Sequence, residues 1–104
     1  MTTTSQLVVI GALEVHPDDA PAFAQLAAVM AAATRQEPGC LHYAFGHDVE
    51  QPGCFRLSEH WRDAAALDEH FATPHMAVFR RGLGGLRLVR RAVTAYTVAS
   101  EKAL

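Results

Sequence analysis

Two segments of alternating polarity, joined by a short loop, constrain the fold of this chain more than any other feature. In residues 40 to 48, one parity carries Leu41, Tyr43, Phe45 and His47. In residues 54 to 62, one parity carries Phe55, Leu57, Glu59 and Trp61. The loop between them, Val49 to Gly53, contains a Pro-Gly step. A period of two on both sides of a Gly-containing loop predicts an antiparallel β-hairpin.

Symmetric closure of this hairpin about Gln51 predicts which side chains meet. The expected pairs are Tyr43 with Glu59, Phe45 with Leu57, Leu41 with Trp61 and, on the other face, His42 with His60. The assignment of residues to faces depends only on the period of two within each strand. We therefore expect Glu59 on the apolar face of the sheet, beneath the helices.

Strand and helix patterns precede the hairpin. A run of β-formers predicts a first strand from Gln6 to Glu14. Pro17 and the two acids after it predict a helix start, because proline and acidic residues favour the first helical turn. Apolar residues at helical spacing extend this helix to about Gln36, and Glu37-Pro38-Gly39 ends it.

A second helix and a last strand follow the hairpin. Asp63 is the expected N-cap, and Thr73-Pro74 should interrupt and restart the helix before the glycines at 82, 84 and 85 end it. Residues 87 to 100 alternate again and predict a strand. The resulting β-α-β-β-α-β order predicts one α+β domain over residues 1–104, with a ferredoxin-like fold and an antiparallel sheet.

Composition excludes several classes of protein. The net charge of -2 leaves no basic surface for nucleic acid. No apolar run approaches the roughly 20 residues of a membrane helix. The N-terminal MTTTSQ lacks a positive region followed by an apolar core, so we expect no secretory signal and a cytoplasmic protein.

The first strand is apolar on both faces. Leu7, Val9 and Leu13 lie on one side, and Val8, Ile10 and Ala12 lie on the other. A two-layer monomer would leave one of these faces in water, so something should cover it. A second copy of the chain is the economical candidate, and we expect a homodimer.

The two cysteines should not form a disulfide. Cys40 and Cys54 begin antiparallel strands and therefore lie at opposite ends of the hairpin, roughly 26 Å apart. A disulfide requires Cα atoms within about 7 Å.

Glu59 and the histidines of the second helix are the main candidates for chemistry. A carboxylate among Tyr43, Phe45, Leu57 and Trp61 is costly to ionise unless it is hydrogen-bonded. Glu59 is therefore either a structural acid bonded to a backbone amide or to Tyr43, or a catalytic or substrate-orienting acid. His70 lies on the helix face that looks toward Glu59 and Trp61. A neutral imidazole there can act as a general base near pH 7.

A metal site is the weaker alternative for these residues. His70, His75 and Glu59 could imitate a set of two histidines and one carboxylate. Their spacing is poor, because ligands on one helix prefer positions i and i+4 and Thr73-Pro74 lies between the histidines. We therefore expect no bound metal, and no motif for a flavin, a haem or a phosphate is visible.

Residues 37 to 75 carry a resemblance to a known family. The segments EPGCLHY, DVEQPGCFRLSEHW and AALDEHFATPH resemble the antibiotic biosynthesis monooxygenase domain, with its Glu-X-Trp and Ala-Leu-X-X-His patterns. The match covers about forty residues, and the element order extends it to nearly the whole chain. The resemblance implies two ferredoxin-like protomers that pair their sheets into a dimeric α/β barrel.

The resemblance also implies a function and a set of site residues. Family members include small oxygenases that act on quinols, anthrones or similar polyketide phenols, haem-degrading relatives and a signal-molecule isomerase. Glu59, Trp61 and His70 match the most recognisable positions of the family, and Tyr43 and His75 match weaker ones. Haem-degrading members rely on an Asn-Trp-His set, and this chain contains no asparagine. Haem oxygenation is therefore disfavoured.

The resemblance therefore implies a monooxygenase that uses O2, and the absence of cofactor motifs leads us to expect no cofactor. His70 would be the base, with Glu59 and Trp61 beside it as catalytic residues. Substrate would contact a pocket between sheet and helices formed by Tyr43, Phe45, Leu57, Phe71, His75 and Phe79. Two alternatives stay open: an isomerase or cyclase that uses the same pocket without oxygen, and a non-catalytic dimeric module that binds a small ligand.

Overall fold

The predicted order of elements is confirmed in a computed structural model, which describes residues 4–104. The first predicted helix is preceded by a 3-10 turn, Pro17–Asp19. The second predicted helix is divided into two separate helices. The elements are β1 (Leu7–Val15), α1 (Ala20–Thr34), β2 (Cys40–His47), β3 (Cys54–Trp61), α2 (Ala64–Phe71), α3 (Pro74–Gly84) and β4 (Leu88–Thr97). Met1 to Thr3, on which the expectation of no secretory signal partly rests, lie outside the described residues.

The four strands form one antiparallel sheet in the order β2-β3-β1-β4. The predicted pairs of Tyr43 with Glu59, Phe45 with Leu57 and His42 with His60 are confirmed. The pairing of Leu41 with Trp61 is wrong: the register shifts between Cys40 and His42, so that Cys40 lies opposite Trp61. This irregularity leaves the side chain of Leu41 exposed.

The break between α2 and α3 follows from Thr73 and Pro74. The Thr73 side chain accepts a hydrogen bond from the Met76 amide, as an N-cap does, and its hydroxyl donates to the His70 carbonyl. Proline at the first position of α3 has no amide hydrogen to leave unpaired there. The chain therefore bends at Thr73 and places the first turn of α3 next to the end of α2.

The core lies between the helices and one face of the sheet. Trp61 and Phe23 are fully buried, and Phe23 packs against the rings of Phe45, Phe55 and Phe79. On the opposite face Ile10 and Tyr96 are each 55% exposed. Among residues 4–104, no helix combines the length and the apolar character needed to cross a bilayer.

Cys40 and Cys54 are both free thiols, as the hairpin geometry predicts.

Candidate functional site

A cavity of about 230 Å3 lies between the sheet and the helices. Five of the predicted substrate-binding residues line it: Tyr43, Phe45, Leu57, Phe71 and Phe79. Glu59 and His70, the polar residues predicted to lie in this region, also line the cavity. Ligand pockets typically have volumes of about 300–1,000 Å3, so this cavity favours a small ligand.

His70 is buried and held by a carboxylate. Its side chain comes from the last turn of α2, and its ring lies 4.8 Å from the Trp61 ring and 5.5 Å from the Tyr43 ring, measured between centroids. His70 Nδ1 is 2.7 Å from Glu37 Oε2. Burial lowers the pKa of His70, and the hydrogen bond to Glu37 opposes that effect. The imidazole is therefore neutral near pH 7, which is the form that accepts a proton.

Glu37 contacts the site but is not identifiable from the sequence. The segment Glu37-Pro38-Gly39 indicates only the end of a helix. The Glu37 carbonyl accepts from the Cys40 amide, and the Arg62 amide donates to the Gly39 carbonyl. These bonds close the turn and tie it to the end of β3. No local sequence signal marks Glu37, because its partners lie more than thirty positions away.

Gly39 lets this turn approach α2 closely. A Cβ atom at position 39 would overlap the Cβ of Ala66. Glycine therefore allows the backbone to pack against the first turns of α2, the helix that carries His70. The close approach brings the turn within reach of the His70 ring.

Glu59 is buried on β3 with one hydrogen bond to a side chain. Trp61 Nε1 donates to Glu59 Oε1 over 2.7 Å. The sequence suggested a backbone amide or Tyr43 as the partner of a structural acid, and neither is the group observed. Burial raises the pKa of Glu59 to about 7; the bond from Trp61 acts in the opposite direction, and the charge of Glu37 adds to the rise. Glu59 can therefore hold or release a proton near neutral pH.

Trp61 and His75 lie away from the cavity wall. Trp61 is fully buried; it donates a hydrogen bond to Glu59, and its ring packs against that of His70. His75 lies on the first turn of α3, where its Nε2 is 2.8 Å from Glu37 Oε2. The sequence analysis expected His75 to contact substrate in the pocket, but its ring is directed instead to Glu37, which does not line the cavity.

Tyr43 contributes a protonated phenol to the cavity wall. Burial, together with the nearby charge of Glu59, raises the pKa of Tyr43. Two arginines at the same cavity, Arg80 on α3 and Arg91 on β4, were not predicted. Arg91 shares the parity of Val93 on β4, but alternation alone does not show that its side chain reaches the cavity. The cavity thus combines apolar walls, a neutral imidazole, a carboxyl group with a raised pKa and two arginine side chains.

The carboxylate that lies beside His70 and His75 is Glu37 and not Glu59, which the sequence suggested as the third metal ligand. Glu59 bonds Trp61, whereas Glu37 contacts both His70 and His75. One ligand atom from each of Glu37, His70 and His75 lies within 4.8 Å of the other two. Among the described residues, these three are the group that could hold a metal ion.

Comparisons with known proteins identify the family. The model of the family described as antibiotic biosynthesis monooxygenase matches residues 6–82. An uncharacterized protein of Synechocystis sp. is 34% identical over 98 residues, which are 94% of this chain and 67% of that protein. Rv0793 of Mycobacterium tuberculosis, provisionally named a monooxygenase, is also 34% identical over 98 residues, covering 94% and 96% of the two chains.

Solved structures show the same fold. A protein of Deinococcus radiodurans, provisionally assigned as an antibiotic biosynthesis monooxygenase, superposes with a TM-score of 0.88 at 33% identity, over 94% of this chain and 97% of the other. The structure of Rv0793 superposes with a TM-score of 0.86 at 32% identity, over 95% and 100%.

Proposed function

Because this chain belongs to the antibiotic biosynthesis monooxygenase family, we propose that it is a cofactor-free monooxygenase that oxidises a small phenol or quinol with O2. The observation that carries the proposal is a buried histidine at an apolar cavity. His70 lines that cavity, and its Nδ1 is held by Glu37. The cavity of about 230 Å3 favours a small aromatic substrate over a large polycyclic one.

His70 would act as the general base. When Nδ1 carries the proton and donates it to Glu37, Nε2 has the free lone pair and can take the phenolic proton of the substrate. Glu37 is then a positioning residue, because it fixes the tautomer and the orientation of the ring without touching the substrate.

The electron-rich anion would supply the electrons that a cofactor otherwise provides. The phenolate gives one electron to O2, the two radicals combine, and a carbon–oxygen bond forms at a ring carbon that bears hydrogen. The peroxide then loses water as its O–O bond breaks, and that ring hydrogen leaves as a proton. The balance is one phenol and one O2 to one quinone and one water. The protein contributes the base, the orientation and a cavity with little water.

Glu59 and the aromatic residues would position the substrate. Glu59 orients the ring or holds a proton during peroxide collapse, and Trp61 fixes Glu59 through the bond from Nε1. Tyr43, Phe45, Leu57, Phe71 and Phe79 would form the substrate-binding wall. We assign His75 a place behind this wall rather than a direct contact with substrate.

A homodimer is part of the same proposal. Within β4, Val93 alone is half-buried and the other nine residues are exposed, among them Leu88, Val89 and Tyr96. Because β4 is also an edge strand and Ile10 beside it is exposed, exposed apolar side chains are concentrated on β1 and β4 at this edge of the sheet. A second copy of the chain would cover it and complete a barrel.

The test is oxygen consumption by the purified protein against a panel of small quinols, phenols and anthrones. The proposal predicts O2 uptake matched by quinone formation for at least one small substrate. Conversion of a substrate without O2 uptake would instead support the isomerase or cyclase alternative. Saturable binding without turnover would support the ligand-binding module.

A further inference from the structure

Two imidazoles converge on one carboxylate oxygen behind the cavity wall. His70 Nδ1 and His75 Nε2 lie 2.7 and 2.8 Å from the same atom, Glu37 Oε2. The three residues come from separate elements: the turn after α1, the end of α2 and the start of α3. Their convergence is therefore a product of the tertiary fold and not of local helical spacing.

The arrangement is close to that of a metal site. Ligand atoms about 2.1 Å from a tetrahedral metal lie about 3.4 Å from one another. All three candidate atoms already lie within 4.8 Å of one another. Bringing these atoms to metal-ligand spacing therefore requires side-chain shifts of about 1 Å, in place of the present hydrogen bonds.

We propose that Glu37, His70 and His75 form a binding site for a divalent transition metal of the Zn2+ or Ni2+ type. Two imidazole nitrogens and one carboxylate oxygen suit these ions, whereas Mg2+ and Ca2+ prefer oxygen ligands. The side chains of Glu37 and His75 are 12% and 21% exposed, so an ion can enter from solvent. A fourth position is left for water.

Metal binding would have a defined effect on the chemistry proposed above, and this consequence rests on that proposed function. Of the three ligands, His70 alone lines the cavity. A metal on Nδ1 of a neutral imidazole leaves the proton on Nε2, the nitrogen that would otherwise accept the substrate proton. The ion would therefore inhibit the base, and the site would act as a metal-sensitive switch.

The experiment is calorimetric titration of the chelator-treated protein with Zn2+, Ni2+ and Mg2+, without substrate. The site predicts one Zn2+ or Ni2+ per chain and no measurable Mg2+ binding. Glu37→Gln and His75→Ala should each weaken Zn2+ binding at least about tenfold, a loss of about 1.4 kcal/mol. His47→Ala is the matched control, because His47 is exposed at the end of β2, outside the cluster, and its removal should leave the affinity unchanged.

Two results would contradict the proposed metal site. One is the absence of saturable Zn2+ binding by the wild-type chain up to about 1 mM. The other is binding that both Glu37→Gln and His75→Ala retain at full strength, which would place the ion elsewhere. Far-ultraviolet circular dichroism of each variant checks that the fold is kept. Because no substrate is present, failure of the oxygen-uptake assay leaves this test unaffected, and failure of this test leaves the oxygenase proposal intact.

Discussion

At the scale of single residues, the buried Glu59 should make the stability of the fold depend on pH. Burial raises its pKa from 4.5 to about 7, so the folded chain binds this proton more tightly than the unfolded chain. Such a group makes its full contribution to the free energy of unfolding below the pKa that it has in the unfolded chain. That contribution is lost as the pH rises through the pKa that it has in the folded chain. The lost stability is at most about 3 kcal/mol.

Glu59→Gln should therefore flatten the pH dependence of stability. Glutamine keeps an oxygen that can accept from Trp61 Nε1 but carries no ionisable proton. Between about pH 5 and about pH 8, the wild type should lose more free energy of unfolding than the variant does. Urea unfolding at both pH values measures this difference. Parallel losses in the two proteins would show that the carboxyl is not ionising in a buried environment.

Trp61 should behave as a structural residue. Its side chain is fully buried, so Trp61→Ala should lower the free energy of unfolding by about 3–5 kcal/mol. That is a large share of the roughly 5–15 kcal/mol that stabilises a domain. Urea denaturation at constant pH measures the loss. A loss below about 1 kcal/mol would show that the ring is not part of the core.

At the scale of elements, the close contact between Gly39 and α2 can be tested by a double-mutant cycle. Gly39→Ala places a methyl group where the Ala66 Cβ lies, and such overpacking typically costs about 1–3 kcal/mol. Ala66→Gly removes the opposing methyl, although glycine in a helix costs about 1 kcal/mol itself. The double variant should be more stable than the sum of the two single losses predicts. Simple additivity would mean that the two methyl groups do not compete for the same space.

The elements themselves were largely predictable from sequence. Alternation determined the hairpin faces, so Tyr43, Glu59 and their neighbours were assigned to the correct side of the sheet. The helix break at Thr73-Pro74 was also predicted, because its cap residue and its proline are local signals. The shift of register at Leu41 was not, since an irregularity between paired strands leaves no mark on the alternation of either strand.

The site was only partly predictable, for a physical reason. His70 and Glu59 can be identified from the sequence because they are polar residues on otherwise apolar faces. Glu37 does not, because its role depends on a turn that packs onto α2 at Gly39. The hydrogen bonds that Trp61 and His75 make to carboxylates were not predictable either, because periodicity gives no information about such bonds.

At the scale of the whole molecule, the exposed apolar surface around β4 predicts an assembly. Light scattering should give the mass of a dimer at micromolar concentration. Ile10→Lys places a charge on the outer face of the sheet, where Ile10 is 55% exposed in the single chain, and should shift the protein toward monomer. Val49→Lys is the control, because that residue is fully exposed in the hairpin loop. A wild-type monomer would contradict the homodimer.

The central claim is that a protein base, without a cofactor, starts the reaction with O2. The most direct measurement is the rate of O2 consumption by chelator-treated wild-type protein and by His70→Ala, on a quinol that the wild type oxidises. Loss of a general base usually lowers the rate by about 10²–10⁴-fold. We expect a fall in that range for His70→Ala and no fall for His47→Ala, with both variants folded. Full activity in folded His70→Ala, or activity that the chelator abolishes in the wild type, would contradict it.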